Sequence, residues 1–170
     1  MSEDSIVDES TEVCRPNRFY WESSQEHCHL PNTEIHVFSC ALEVAPSNLV
    51  NLTRFPSSDE LERAQRFRFK RDRMHFIVAR AELRMILSRY LDIKPNAVQF
   101  SYGAHGKPTL TNHVCGDGIR FNISRSHEIG IVAIQLGGEI GVDVEFINPF
   151  PDAMRIAFVT DSSQQLRIRY

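Results

Sequence analysis

The hydrophobic period of this chain changes twice, and that alternation limits what it can fold into. EIHVFSCALEV, residues 34–44, alternates apolar and polar positions as a half-buried strand does. Ser57-Ser58-Asp59-Glu60 then opens a helix: Ser57 can cap it, and Glu60, three residues on, can reach back to the cap. Leu61, Ala64 and Phe67 share one face of that helix. A second helix is expected at roughly 72–91. There Phe76, Ala79, Leu83, Ile86, Leu87 and Tyr90 recur at helical spacing, and Pro95 ends the region. The period then returns to two in AVQFSY (97–102), IRFNIS (119–124), EIGIVAIQL (128–136) and EIGVDVEF (139–146), separated by turn residues such as Gly137-Gly138. A strand, then helices, then a run of strands predicts an α+β fold, with helices packed on a mainly antiparallel sheet. Residues 1–33 are polar and irregular and read as a loosely ordered lead-in, 34–148 as the folded unit. After Pro149 and Pro151, residues 149–170 read as the start of another helix.

Length and charge narrow the function classes. A chain of 170 residues at 42% hydrophobic can bury one core without metal or disulfide staples. No apolar run reaches the length of a membrane span, so no membrane partner is expected. Cys14, Cys28, Cys40 and Cys115 fit no disulfide framework, and MSEDSIVDESTEVC lacks the basic and apolar regions of a signal peptide. Both features lead to the expectation of a reducing cytoplasm. The net charge of −3 is unevenly spread. Residues 3–12 hold five acids and no base, whereas RAQRFRFKRDR (63–73) holds six bases and one acid, a stretch suited to an anionic ligand.

The acids of IGVDVEF pose the sharpest question. In a strand, Asp143 and Glu145 fall on one face and Val142 and Val144 on the other. Two converging carboxylates suit a hard divalent cation such as Mg2+, which commonly takes one or two carboxylates plus waters and substrate phosphates. On spacing alone, the favoured reading is a solvent-facing strand with incidental acids paired to Arg or Lys.

Three further stretches bear on the choice: Gly106-Lys107-Pro108 in a turn, FNISRS at 121–126, and GVDVE at 141–145. They are preceded by LERAQRFRFKRDRMHFIVARAELRMIL. In order and spacing, over about residues 35–150, these motifs resemble the 4′-phosphopantetheinyl transferases of the surfactin-synthetase-activating type. The resemblance implies one half of that family's pseudo-twofold fold. It also implies transfer of the phosphopantetheine arm of coenzyme A to a serine of an acyl or peptidyl carrier protein, releasing 3′,5′-ADP. By the same resemblance Asp143 and Glu145 hold Mg2+ against the pyrophosphate, Lys107 lies near the nucleotide, and Pro108 stiffens its turn. Ser124 and Arg125 match positions that contact coenzyme A phosphates, and Arg63 a basic position near the 3′-phosphate. Arg66, Arg71 and Arg80 are further phosphate partners in principle, although a solvated helix face accounts for each of them singly.

The chain departs from the family pattern twice. Arg125 stands where the family usually has His; His127, on an extended strand, would point to the same side one pleat further on. The family's second half carries W-[ST]-x-K-E-[AS]-x-x-K, whose Glu binds metal or acts as general base. No such motif occurs here, and IAFVTDSSQQL resembles the helix that begins that half. A fragment, a truncated reading frame or a half that forms a homodimer would each explain this, with truncation the leading expectation. A pseudoenzyme that binds coenzyme A or carrier protein without transfer is the closest rival. A nucleic-acid module is disfavoured, because Phe67 and Phe76 suit a core and the pI is about 6.2. Cys14, His27, Cys28 and His29 do not promise a zinc geometry, and Ser124, His127 and Asp143 lack a nucleophile elbow.

Overall fold

The computed structural model describes residues 28–103, 106–111, 118–146, 155–161 and 165–169. Strand β1, Ile35–Ala41, precedes three helices: α1, Pro46–Leu52; α2, Ser58–Gln65; and α3, Lys70–Leu91. A 3-10 turn at Pro95–Ala97 leads to β2, Phe100–Tyr102, and β3, Pro108–Leu110. Then come β4, Ile119–Ser126; β5, Ile129–Leu136; β6, Ile140–Phe146; β7, Arg155–Asp161; and β8, Gln165–Arg169. Every strand pairing is antiparallel, in the orders β1-β5-β4, β2-β3 and β6-β7-β8. The α+β expectation is therefore met.

The central β1-β5-β4 sheet is covered on both faces, and its pleat sorts the residues. Val132 and Ile134 of β5, with Phe38, Ile119 and Phe121, pack against Leu83, Ile86, Leu87 and Leu91 of α3. Ile131 and Ala133, one step out of phase, pack with Ile35 and Val37 against Ile140, Val142 and Val144 of β6. Double coverage explains why IVAI is an unbroken apolar run rather than an alternating one. Each of the fully buried Val, Ile and Leu side chains among them contributes about 1.5–3 kcal/mol. Gly130 is dictated by close approach: a Cβ there would stand 2.7 Å from Cys40 Sγ.

Helix α3 is buried from His75 to Ser88, polar side chains included. Glu82 is among them, and one of its carboxylate oxygens has no hydrogen-bond partner. Burial pushes its carboxyl from 4.5 up to about 7. Burial, with Glu82 adding, pushes the Cys40 thiol up to about 12. A raised acid favours the native state when protonated, so its unfavourable contribution is absent below pH 4.5 and grows as pH rises to about 7. Glu82→Gln is therefore expected to stabilise the chain by about 3 kcal/mol above pH 7 and by almost nothing near pH 4. Urea titrations of both forms across that range check the sign.

Several expectations need correction. The stretch 155–169 is a strand pair, not a helix: β7 takes the edge of β6, with Val142 opposite Val159, and β8 pairs with β7. Ile156, Phe158, Val159 and Thr160 are β-formers, and β6 offers an edge for them to pair with. The lead-in is not wholly loose, because Leu30 is buried in the main core. Helix α1 was not anticipated. Residues 97–102 yield only a three-residue strand after the 3-10 turn. His127 is not on an extended strand; it takes φ 52° in the β4–β5 turn, and its ring lies against Phe146 at 4.1 Å. Of the zinc candidates, Cys14 and His27 lie outside the described residues. No described helix is long and apolar enough to cross a membrane.

Candidate functional site

Neighbouring residues of β4 point to opposite faces, and this splits the expected site into two groups. Ile119, Phe121 and Ile123 pack on the helix side, so Arg125, in phase with them, turns the same way. Its guanidinium lies 5.1 Å from the Phe67 ring and 5.5 Å from the Phe76 ring. Ser124, out of phase, turns toward β6 and donates its hydroxyl proton to Asp143 Oδ1 at 2.8 Å.

The helix-side group is cationic. Arg63 stands over the Tyr102 ring at 5.7 Å and borders the Gly106 turn, where an added Cβ would sit 3.4 Å from its guanidinium. Gly106 has φ 72°, the left-handed region that glycine enters without cost. Arg80 lies 5.7 Å from the Tyr102 ring and 5.9 Å from the Phe100 ring. Burial holds Arg125 below its ordinary value, with Asp72 opposing and Arg80 and Arg63 adding. Arg80 is likewise lowered, first by burial, then by Arg63 and Arg84 against Tyr102 and Glu60. Like charges held this close to one another favour an anion among them.

Arg80 is not on a solvated face as the simplest reading had it: it is 6% exposed, and its Nη1 is buried without a hydrogen-bond partner. Its Nε stands 3.7 Å from Glu60 Oε1, while Arg84 Nε donates to Glu60 Oε2 at 2.8 Å. Glu60 also accepts the Ser57 backbone N–H at 2.9 Å, the reach-back that the capping pattern predicts. Sequence reasoning missed this buried trio. The signal was present: residues 76, 80, 84 and 87 lie on one helix face, so Arg80 and Arg84 interrupt an apolar stripe. By contrast Arg66 and Arg71 are exposed, and Arg71 pairs with Glu43 at 3.0 Å and Glu128 at 2.8 Å.

The β6-side group is acidic. Asp143 and Glu145 are exposed on one face, with Val142 and Val144 buried on the other, as the period predicts. Among the described residues no third acid, histidine or cysteine joins them. Two hard, water-facing carboxylates fit a cation that completes its shell with water and phosphate oxygens, and they do not fit a closed protein cage.

Lys107 ties the glycine turn to the start of β6: its Nζ donates to the Ile140 carbonyl at 3.2 Å and lies 3.6 Å from Glu139. Pro108 is buried and pairs across the hairpin with Tyr102. A cleft of about 690 Å³ opens beside this turn, lined by Lys107, Pro108, Arg120, Phe121, Glu139 and Ile140 among others. Neither the arginine cluster nor the Asp143 face lines it.

The family model for "4′-phosphopantetheinyl transferase, N-terminal" matches residues 44–136. The 4′-phosphopantetheinyl transferase HetI of Nostoc sp. is 35% identical over 137 residues, 81% of this chain and 58% of that protein. In Synechocystis sp., slr0495, whose name assigns it the same transferase provisionally, is 35% identical over 113 residues, 65% of this chain and 46% of that protein. The chain thus spans about half the length of these relatives.

Proposed function

Because the chain belongs to the 4′-phosphopantetheinyl transferase family, we propose that it serves the transfer of 4′-phosphopantetheine from coenzyme A to a serine of a carrier protein, with Mg2+ as the metal. The observation that carries this reading is the outward pairing of Asp143 and Glu145 on β6, across from a strand whose other face carries Arg125. In this reading the two carboxylates hold the cation and Arg63, Arg125 and Lys107 hold phosphates, while Pro108 keeps the Lys107 turn in shape. A cation held by Asp143 and Glu145 would supply neutralisation of the charge on the pyrophosphate oxygens. The serine oxygen forms the new bond to the β-phosphorus, and the bond to the leaving 3′,5′-ADP breaks. No residue of this chain is assigned the serine proton. Arg125, in the position usual for His, keeps its charge at every working pH, which suits a phosphate.

Incubating the chain with coenzyme A, Mg2+ and an apo carrier protein tests the proposal. Coenzyme A binding that strengthens with Mg2+, followed by a mass gain of one phosphopantetheine group on the carrier, is the expected result. Binding without mass gain favours a coenzyme A-binding protein that does not transfer. No calorimetric heat with coenzyme A, with or without Mg2+, sinks both readings.

A further inference from the structure

Ser124 carries a chemical constraint that its motif conceals. A serine hydroxyl has one proton to donate and two lone pairs to accept with. Here the proton goes to Asp143 Oδ1 at 2.8 Å, and a lone pair takes the Val144 backbone N–H at 3.2 Å. Strands β4 and β6 belong to different sheets, and β6 is the edge of its own. The Ser124 hydroxyl therefore bridges the two sheets at the position of the acidic pair. It satisfies an edge N–H of β6 and occupies one oxygen of the Asp143 carboxylate.

We propose that Ser124 is a positioning residue for the cation site rather than a side-chain donor to a coenzyme A phosphate: its hydroxyl fixes the Asp143 carboxylate so that Oδ2 is the oxygen presented to the metal. This rests on the reading of Asp143 and Glu145 as metal ligands. The constraint is one of stoichiometry. While the Ser124 proton is directed at Asp143, what its hydroxyl presents to a phosphate is a lone pair, which repels it. Arg125, facing the other side of β4 among Phe67 and Phe76, is the member of the adjacent pair that can donate. An exposed aspartate held by one hydroxyl loses rotational freedom before the cation arrives. Partners that orient a metal ligand in this way are worth about 10–100-fold in metal affinity.

The test compares coenzyme A affinity with and without Mg2+, by calorimetry, for the full chain and for Ser124→Thr and Ser124→Val. The two variants have nearly the same shape and both suit a strand, so they differ in the hydroxyl alone. Wild type and Ser124→Thr are expected to share one Mg2+ enhancement. Ser124→Val is expected to lose about tenfold or more of it while keeping metal-free coenzyme A affinity within about twofold. The Val substitution should also have no further effect in an Asp143→Ala background. If Ser124→Val weakens binding equally with and without Mg2+, the hydroxyl donates directly to phosphate and the proposal is overturned. An unchanged enhancement in Ser124→Val overturns it as well while leaving the metal reading intact. A wild-type chain with no Mg2+ enhancement removes the metal reading and this inference together.

Discussion

Glu60→Ala is expected to destabilise the fold by about 3–5 kcal/mol, because it strands two buried guanidinium groups at once. Glu60 is 1% exposed, Arg84 2% and Arg80 6%, so water cannot replace the lost carboxylate. Arg84 would keep its bonds to the carbonyls of Val98 at 2.6 Å and Pro95 at 3.4 Å. Those dipoles do not cancel a full charge. The reach-back of Glu60 to the Ser57 N–H, which starts α2, is lost as well. For a chain of this length the loss corresponds to a fall in melting temperature of roughly 10 °C or more. The partner substitution provides the control. Arg84→Met alone leaves Glu60 with Arg80 at 3.7 Å, and Glu60→Ala combined with Arg84→Met is expected to cost less than Glu60→Ala alone. Replacing both members of a buried pair removes charge instead of orphaning it. Thermal and urea unfolding of the three variants measures the coupling. A single Glu60→Ala that unfolds within about 1 kcal/mol of wild type would mean that water reaches Arg80 and Arg84 after all. Arg80 links this network to the arginine cluster, since the guanidinium next to Glu60 is also the one over Tyr102, whose strand pairs with Pro108 beside Lys107. Residual folded Glu60→Ala is therefore expected to bind anions less well.

How far the amino-acid string discloses this molecule depends on whether each contact is encoded locally. Helix α2 is legible from its capping box, α3 because 22 residues repeat one spacing, and β6 because Val142 and Val144 alternate with Asp143 and Glu145. Helix α1 spans seven residues and buries Leu52 alone, too few points to define a period. The 155–169 stretch misleads because its β-formers are decided by pairing with β6, a partner that composition does not name. The same holds within the site. Asp143 and Glu145 are two residues apart, and their common face follows from strand geometry. The hydroxyl that orients Asp143 comes from Ser124, 19 residues earlier and in another sheet. The family resemblance assigns Ser124 and Arg125 alike to coenzyme A phosphates. Adjacency in a strand means opposite faces, and the structure accordingly sends one to β6 and the other to the aromatic side of α3.

Asp143→Ala separates function from stability, because Asp143 is exposed and bears no core contact. Its removal is expected to lower the unfolding free energy by no more than about 1–1.5 kcal/mol, the worth of the one exposed hydrogen bond from Ser124. On binding, the expectation is the reverse. With two carboxylates and no third protein ligand among the described residues, deleting one removes half of the protein's charge at the cation. The Mg2+ enhancement of coenzyme A affinity should then fall by more than about 100-fold or be lost, beyond the range for a merely orienting partner. Asp143→Asn sharpens the argument. The amide can still accept the Ser124 proton through its oxygen, so the sheet-to-sheet bridge survives while the charge does not. If charge is the essential contribution, Asn should bind the metal nearly as poorly as Ala. If the bridge matters more, Asn should lie close to wild type. Glu145→Gln, which no described hydrogen bond constrains, should weaken Mg2+ less than Asp143→Asn, because a ligand that is not held in place contributes less before the metal binds. Equal Mg2+-dependent affinity for coenzyme A in wild type and Asp143→Ala would remove the cation from this face of β6. It would leave the acids as a solvated strand surface and the anion-binding role to the arginine cluster and Lys107 among the described residues.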